Sequence, residues 1–142
     1  MTVEESKLFQ PLTVGTSKLQ HRIAMAPLTR CRADENYVPT LPLMKEYYSQ
    51  RAAVPGTLLV SEGTFISPSA SGFPGMPGIY NDAQIAAWKE ITDAVHAKGS
   101  FIYVQLWSLG RAADPRVAEQ EGFTIKSSSA IPSTTNRPPP SP

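Results

Sequence analysis

Three short apolar runs, IAMAPL (23–28), TLLVSEGTF (57–65) and FIYVQLW (101–107), are separated by stretches long enough to hold a helix. That spacing constrains the fold more than any other feature. A parallel pair of strands needs a crossover of about a dozen residues or more, usually a helix. Both gaps supply one. LPLMKEYYSQRAA carries apolar side chains at 43, 44, 47, 48 and 52, a helical stripe, with Pro42 in the first turn and Pro55-Gly56 to stop it. The second helix is expected from about 82 to 98. Asn81 or Asp82 caps it, Ile85, Trp88, Ile91 and Val95 form one face, and Lys98-Gly99 ends it. The order strand, helix, strand, helix, strand gives an α/β class with a parallel sheet. The first run reads as a strand buried on both faces. FIYVQLW looks buried too, so the amide of Gln105 needs a partner.

Each run ends in a polar or glycine-bearing segment: PLTR, SEGT and QLWSLGR. In α/β sheets and barrels, chemistry collects at the C-terminal ends of parallel strands. Ahead of the first run, LTVGTSKL reads as a small hairpin. Residues 29–40 are polar and turn-rich and read as a loop. Residues 66–81, ISPSASGFPGMPGIYN, form a long Gly/Pro-rich loop, of a kind more often functional than decorative. Beyond about residue 112 the periodicity fades. RAADPRVAEQEG suits one helical turn plus loop. A domain over 1–125 is expected to give way to a Ser/Thr/Pro-rich flexible tail over 126–142.

Composition removes several function classes. The net charge is +1, with no clustered basic excess, which argues against nucleic acid and membrane surfaces as partners. No apolar run approaches the ~18–20 residues of a membrane span. MTVEESKLF lacks the apolar region of a secretory signal, so a cytoplasmic location is expected. The single cysteine, Cys31, excludes an internal disulfide, and no base lies near it in the sequence to make it a nucleophile. His21 and His96 have no Cys, Asp or His at ligand spacing, so no metal is expected.

Three parallel strands and two helices fall short of a comfortable domain. A (β/α)8 barrel needs eight strands and ~250 residues. An open doubly wound sheet has about five or six strands. The outer two strands here would be apolar, unprotected edges. Either another copy of the chain supplies the missing elements, or the chain is a fragment of a larger fold.

The segments LFQPLTVG, LQHRIAMAPLTRCRA, EYYSQRA, PGTLLVSEGTFISP, PGIY and VQLWSLGR, in this order and spacing, resemble the N-terminal part of the Old Yellow Enzymes over roughly residues 6–131. SLGRAADP and SSSAIP look most like the fungal branch, which includes reductases of alkaloid and other secondary-metabolite pathways. The resemblance implies an FMN-dependent, NAD(P)H-using ene-reductase on a (β/α)8 TIM barrel. This chain would hold its N-terminal portion, about three strands and two helices, in truncated form. Pro27, Leu28 and Thr29 match the flavin-contacting turn, where the Thr hydroxyl would donate to the flavin C4 carbonyl oxygen. Gly63 matches the position where backbone approaches the isoalloxazine ring and a side chain would clash. Gln105 matches the amide that pairs with the flavin's pyrimidine edge. Trp107 matches an active-site wall that shapes substrate orientation. The family's carbonyl-holding His pair or His/Asn pair, its proton-donating Tyr and its phosphate-binding groups have no counterpart here, so no catalytic residue is assigned. The pattern ends at about 132, where STTNRPPPSP replaces an acidic, helix-forming segment.

From the residues alone, plainer readings stand beside these. Gln105 suits an edge-strand surface position, Thr29 a loop or cap, Gly63 a strand end, and Trp107, like Trp88, a core. Three functions result. The first is hydride transfer from NAD(P)H through FMN to the β-carbon of an activated alkene in a small molecule. The second is a catalytically inactive remnant. The third is a half-barrel that self-associates through its exposed strand edges, or pairs with another chain, and so completes its fold by oligomerisation.

Overall fold

The computed structural model describes residues 6–129 and 131. β1 (Leu12–Val14) and β2 (Ser17–Leu19) pair antiparallel, with Leu12 opposite Leu19. Their turn passes through Gly15 at φ +57°, a left-handed conformation that suits glycine. The expected hairpin is therefore present. β3 (Ala24–Met25), β4 (Leu58–Phe65) and β5 (Phe101–Trp107) form a parallel sheet in the order β3-β4-β5. α1 (Leu43–Arg51) and α2 (Asp82–His96) make the two crossovers, as the spacing predicts. A short α3 (Pro115–Gln120) stands where one turn plus loop was expected.

Local chemistry sets the ends of α2. The Asn81 side chain accepts the Gln84 N–H at 2.9 Å. At the other end Gly99 takes φ +73°, and its N–H donates to His96 O at 2.8 Å. Asn81→Ala is expected to lower the stability by about 1 kcal/mol. A urea melt followed by circular dichroism measures it, and an unchanged midpoint would contradict the capping role.

The main core lies between the helices and the sheet. Met44, Tyr47, Tyr48 and Ala52 from the α1 region meet Leu59 of β4 and Trp88, Ile91 and Val95 of α2. Leu43 and Ile85, both expected on the apolar stripes, are instead 49% and 50% exposed. On α2 the buried first-turn position belongs to Gln84. Its Oε1 accepts the Tyr80 N–H at 2.9 Å, and its Nε2 donates to Asn36 O at 3.0 Å. Loop backbone groups pulled under a helix need partners, and an amide satisfies a donor and an acceptor at once where isoleucine satisfies neither.

A second cluster of Phe65, Ala70, Met76, Leu109 and Ala113 anchors the long 66–81 segment. Glu121, just beyond α3, accepts from the hydroxyls of Tyr37 and Ser71 and so fastens two loops. Most of the flexible tail expected over 126–142 lies outside the described residues. Within the described part, Arg111 donates to the hydroxyls of Ser127 and Ser129, both at 2.9 Å.

The first run, expected to be buried on both faces, and FIYVQLW, expected to be buried, are not; the buried strand is β4, where residues 61–65 are all buried. Ala24 is exposed, and in β5 Tyr103 (45%), Leu106 (61%) and Trp107 (37%) are well exposed. The reason is positional. β4 has a strand on each side, whereas among the described residues β3 and β5 each have one neighbour. An apolar run is buried only where other elements cover it.

Candidate functional site

The C-terminal ends of the three parallel strands lie side by side. Gly63 and Gln105 are direct neighbours in the β4–β5 register, as are Phe65 and Trp107. Pro27, Leu28 and Thr29 follow β3, and the N–H of Arg30 reaches Glu62 Oε2 at 2.9 Å, which fixes their turn against β4. The residues singled out on the three strands thus gather at one end of one sheet.

Gln105 is exposed, and its side chain bonds to no other described residue. Its backbone N–H donates to Ser61 Oγ at 3.1 Å. The Thr29 side chain is likewise exposed and without a partner among the described residues. A free amide and a free hydroxyl at the ends of a three-stranded sheet suit a flat ligand with donors and acceptors along one edge. This donor set fits the pyrimidine side of a flavin.

Gly63 has a reason within the chain. A Cβ there would come within 2.2 Å of a Trp107 ring carbon and 2.9 Å of a second. The indole leans over the glycine and stacks on Phe65, with ring centroids 6.2 Å apart and planes 28° from parallel. Trp107 is therefore seated by its neighbours while part of its ring stays open to solvent.

Glu62 is the site residue that sequence reasoning passed over. It is 1% exposed, and its Oε1 has no hydrogen-bond partner. Its own N–H donates to the Tyr48 hydroxyl at 3.0 Å. Burial pushes its carboxyl above the usual range, against the opposing pull of the Arg30 and Cys31 N–H groups and the Arg32 and Arg30 charges. Burial also raises the Tyr48 hydroxyl. The available signal was an acid directly after the apolar block of β4, a residue type almost never fully buried unless paired.

The raised carboxyl has a defined consequence for stability. A group whose folded pKa exceeds its unfolded value, about 4.3 for Glu, stabilises most below that value. The contribution is lost as pH rises through the folded pKa. Glu62→Gln should therefore flatten the fall in stability above pH ~4.3. Urea midpoints collected from acid to neutral pH test this. Parallel curves for the two proteins would refute it.

Around this acid stands a basic and aromatic shell. Arg30 Nε donates to the Tyr47 hydroxyl at 2.9 Å, and the Arg51 guanidinium lies 3.8 Å over the Tyr47 ring. Cys31, at φ +52°, is exposed, and its thiol is raised by desolvation and by the Glu62 charge rather than lowered by the adjacent arginines. His21 is used structurally: Nδ1 accepts the Ile23 N–H at 3.2 Å, and Nε2 lies 3.0 Å from Thr57 Oγ1. Among the described residues no three His, Cys, Asp or Glu side chains gather as a metal site. No described helix is long and apolar enough to cross a membrane.

A model of the NADH:flavin oxidoreductase / NADH oxidase family matches residues 7–138. The chanoclavine-I aldehyde reductase fgaOx3 of Penicillium roqueforti is 61% identical over 136 residues, covering 95% of this chain and 37% of that protein. The "Probable inactive reductase easA" of Epichloe festucae var. lolii is 54% identical over 135 residues, covering 95% of this chain and 35% of its own length. The crystal structure of Old Yellow Enzyme from Pichia sp. AKU4542 superposes with a TM-score of 0.87 at 42% identity, covering 92% of this chain and 33% of that one. The chain thus spans about a third of the length of its relatives.

Proposed function

This chain belongs to the NADH:flavin oxidoreductase / NADH oxidase family, in its fungal Old Yellow Enzyme branch, and from that premise we propose that the ends of β3, β4 and β5 hold the pyrimidine side of FMN for NAD(P)H-dependent reduction of an activated alkene in a small molecule. The observation that carries this reading is the partnerless amide of Gln105, in register with Gly63. When bound, FMN supplies the hydride chemistry between nicotinamide and alkene. The chain's own residues bind and orient. Gln105 offers a donor and an acceptor to the ring edge, which fixes the rotation of a flat ligand. Pro27 and Leu28 would border the ring, and the Thr29 hydroxyl would donate to its C4 carbonyl oxygen and so stabilise negative charge there. Trp107, seated on Gly63 and Phe65, walls the substrate side.

Gln105→Leu is expected to weaken FMN binding by about 1–3 kcal/mol, read by quenching of flavin fluorescence as the chain is titrated in. Unchanged affinity would show that Gln105 does not meet the ring. A wild-type chain that stays colourless after reconstitution with FMN and removal of the excess would sink the catalytic reading and support a non-catalytic role, as in the name of the Epichloe relative.

The open faces of β5 favour a second reading, self-association through the strand edges. A defined dimer or tetramer in light scattering would support it. A monomer at all accessible concentrations would end it.

A further inference from the structure

We propose that Glu62 is the positioning residue for the turn that carries Thr29, a claim that deepens the flavin reading and in its cofactor half rests on it. Residues 28–31 take no backbone–backbone hydrogen bond among the described residues. The β3–β4 ladder stops at Met25–Leu59, so the turn is out of reach of the sheet's own bonds. The Glu62 carboxylate replaces them by accepting the Arg30 N–H at 2.9 Å, one residue past Thr29. A charged acceptor makes that bond stronger than a neutral one.

The surroundings show how an acid comes to lie there. The β4–β5 register shifts between Val60 and Gly63, and every residue from Ser61 to Phe65 is buried, so the strand departs from strict alternation at Glu62. Such irregularities re-aim a side chain. Tyr48, fully buried on α1, takes the Glu62 N–H at 3.0 Å and holds the backbone in that state. Tyr47, one residue earlier on the same helix, takes Arg30 Nε at 2.9 Å. Two successive tyrosines of α1 therefore brace both ends of one contact: Tyr48 through the acid's backbone N–H and Tyr47 through the arginine's guanidinium. The Arg30 and Arg32 charges oppose the cost of burying the acid. Oε1 has no hydrogen-bond partner, so burying the acid carries a cost; what its other oxygen holds is the Arg30 N–H at 2.9 Å, with the Cys31 N–H of the same turn and the Tyr48 hydroxyl beside the carboxylate.

Amide hydrogen exchange at Arg30, measured on the whole chain, tests the contact without any cofactor. In the wild type the Arg30 amide should be protected. Glu62→Gln keeps an acceptor of the same length and should keep protection within about threefold. Glu62→Ala removes it, and Glu62→Asp withdraws it by one methylene. Both should exchange at Arg30 at least tenfold faster while the Ile91 amide of α2 stays slow. A folded Asp or Ala variant with Arg30 still fully protected would overturn the proposal, as would a Gln variant that loses protection as completely as Ala. If Ala does not fold, Asp decides. FMN titration reads the second half: affinity should fall at least tenfold in Asp and Ala and recover in Gln. A wild-type chain without affinity for FMN would defeat the flavin reading and leave the Arg30 exchange to judge Glu62 by itself.

Discussion

Trp88→Ala should cost about 3–5 kcal/mol, a large fraction of a domain's whole stability. Trp88 is 5% exposed and packs against Tyr48, with ring centroids 5.9 Å apart. It joins the faces of α1 and α2, so its removal leaves a cavity that two rigid helices cannot close. Its Nε1 also donates to Gly78 O at 3.0 Å, the bond that pins the end of the long 66–81 segment to α2. Trp88→Phe separates the effects, because it keeps most of the volume and drops the hydrogen bond, for a loss of about 1 kcal/mol. Equilibrium urea unfolding followed by far-ultraviolet circular dichroism measures both. A loss below about 1 kcal/mol for the alanine variant would mean that the inter-helix core closes without this ring.

Gly63→Ala should destabilise the chain by about 1–3 kcal/mol even with no cofactor present, because the added methyl would overlap the Trp107 indole. The ring must swing off Phe65 and into water. In a Trp88→Phe background Trp107 is the remaining tryptophan, and its emission should shift to longer wavelength. The second-site change Trp107→Ala should remove most of the penalty, since it removes the atom that clashes. If Gly63 were small solely to admit a flavin ring, the apo stability and the Trp107 emission would not move. The loss would then appear in FMN affinity alone.

The two experiments probe features with different visibility in the sequence. Trp88 stands on a 3.6-residue stripe, and a periodic stripe of that kind reports a buried helix face directly. The cap at Asn81 and the stop at Gly99 are equally local, because they depend on side-chain and backbone chemistry within a few residues. The alternation of strands and long crossovers makes parallel pairing the natural outcome, and the sheet order β3-β4-β5 follows it.

Glu62 and Gln84 were not legible in this way. Both are polar residues, and both are buried because backbone groups of neighbouring loops, at Arg30 for one and at Asn36 and Tyr80 for the other, come to them. Gly63 was legible as a position that excludes a side chain. What excludes it, the Trp107 ring 44 positions later in the chain, depends on the β4–β5 register.

By itself, the sequence determined the order and type of the elements, their caps, the parallel pairing and the cluster of polar strand ends, since each is written in local periodicity or in the stereochemistry of single residues. The tertiary structure decided which of those apolar runs are buried, what fills the space above Gly63, and which carboxylate holds the Thr29 turn. Burial and hydrogen bonding between distant segments are properties of neighbours, and neighbours exist only once the chain has folded.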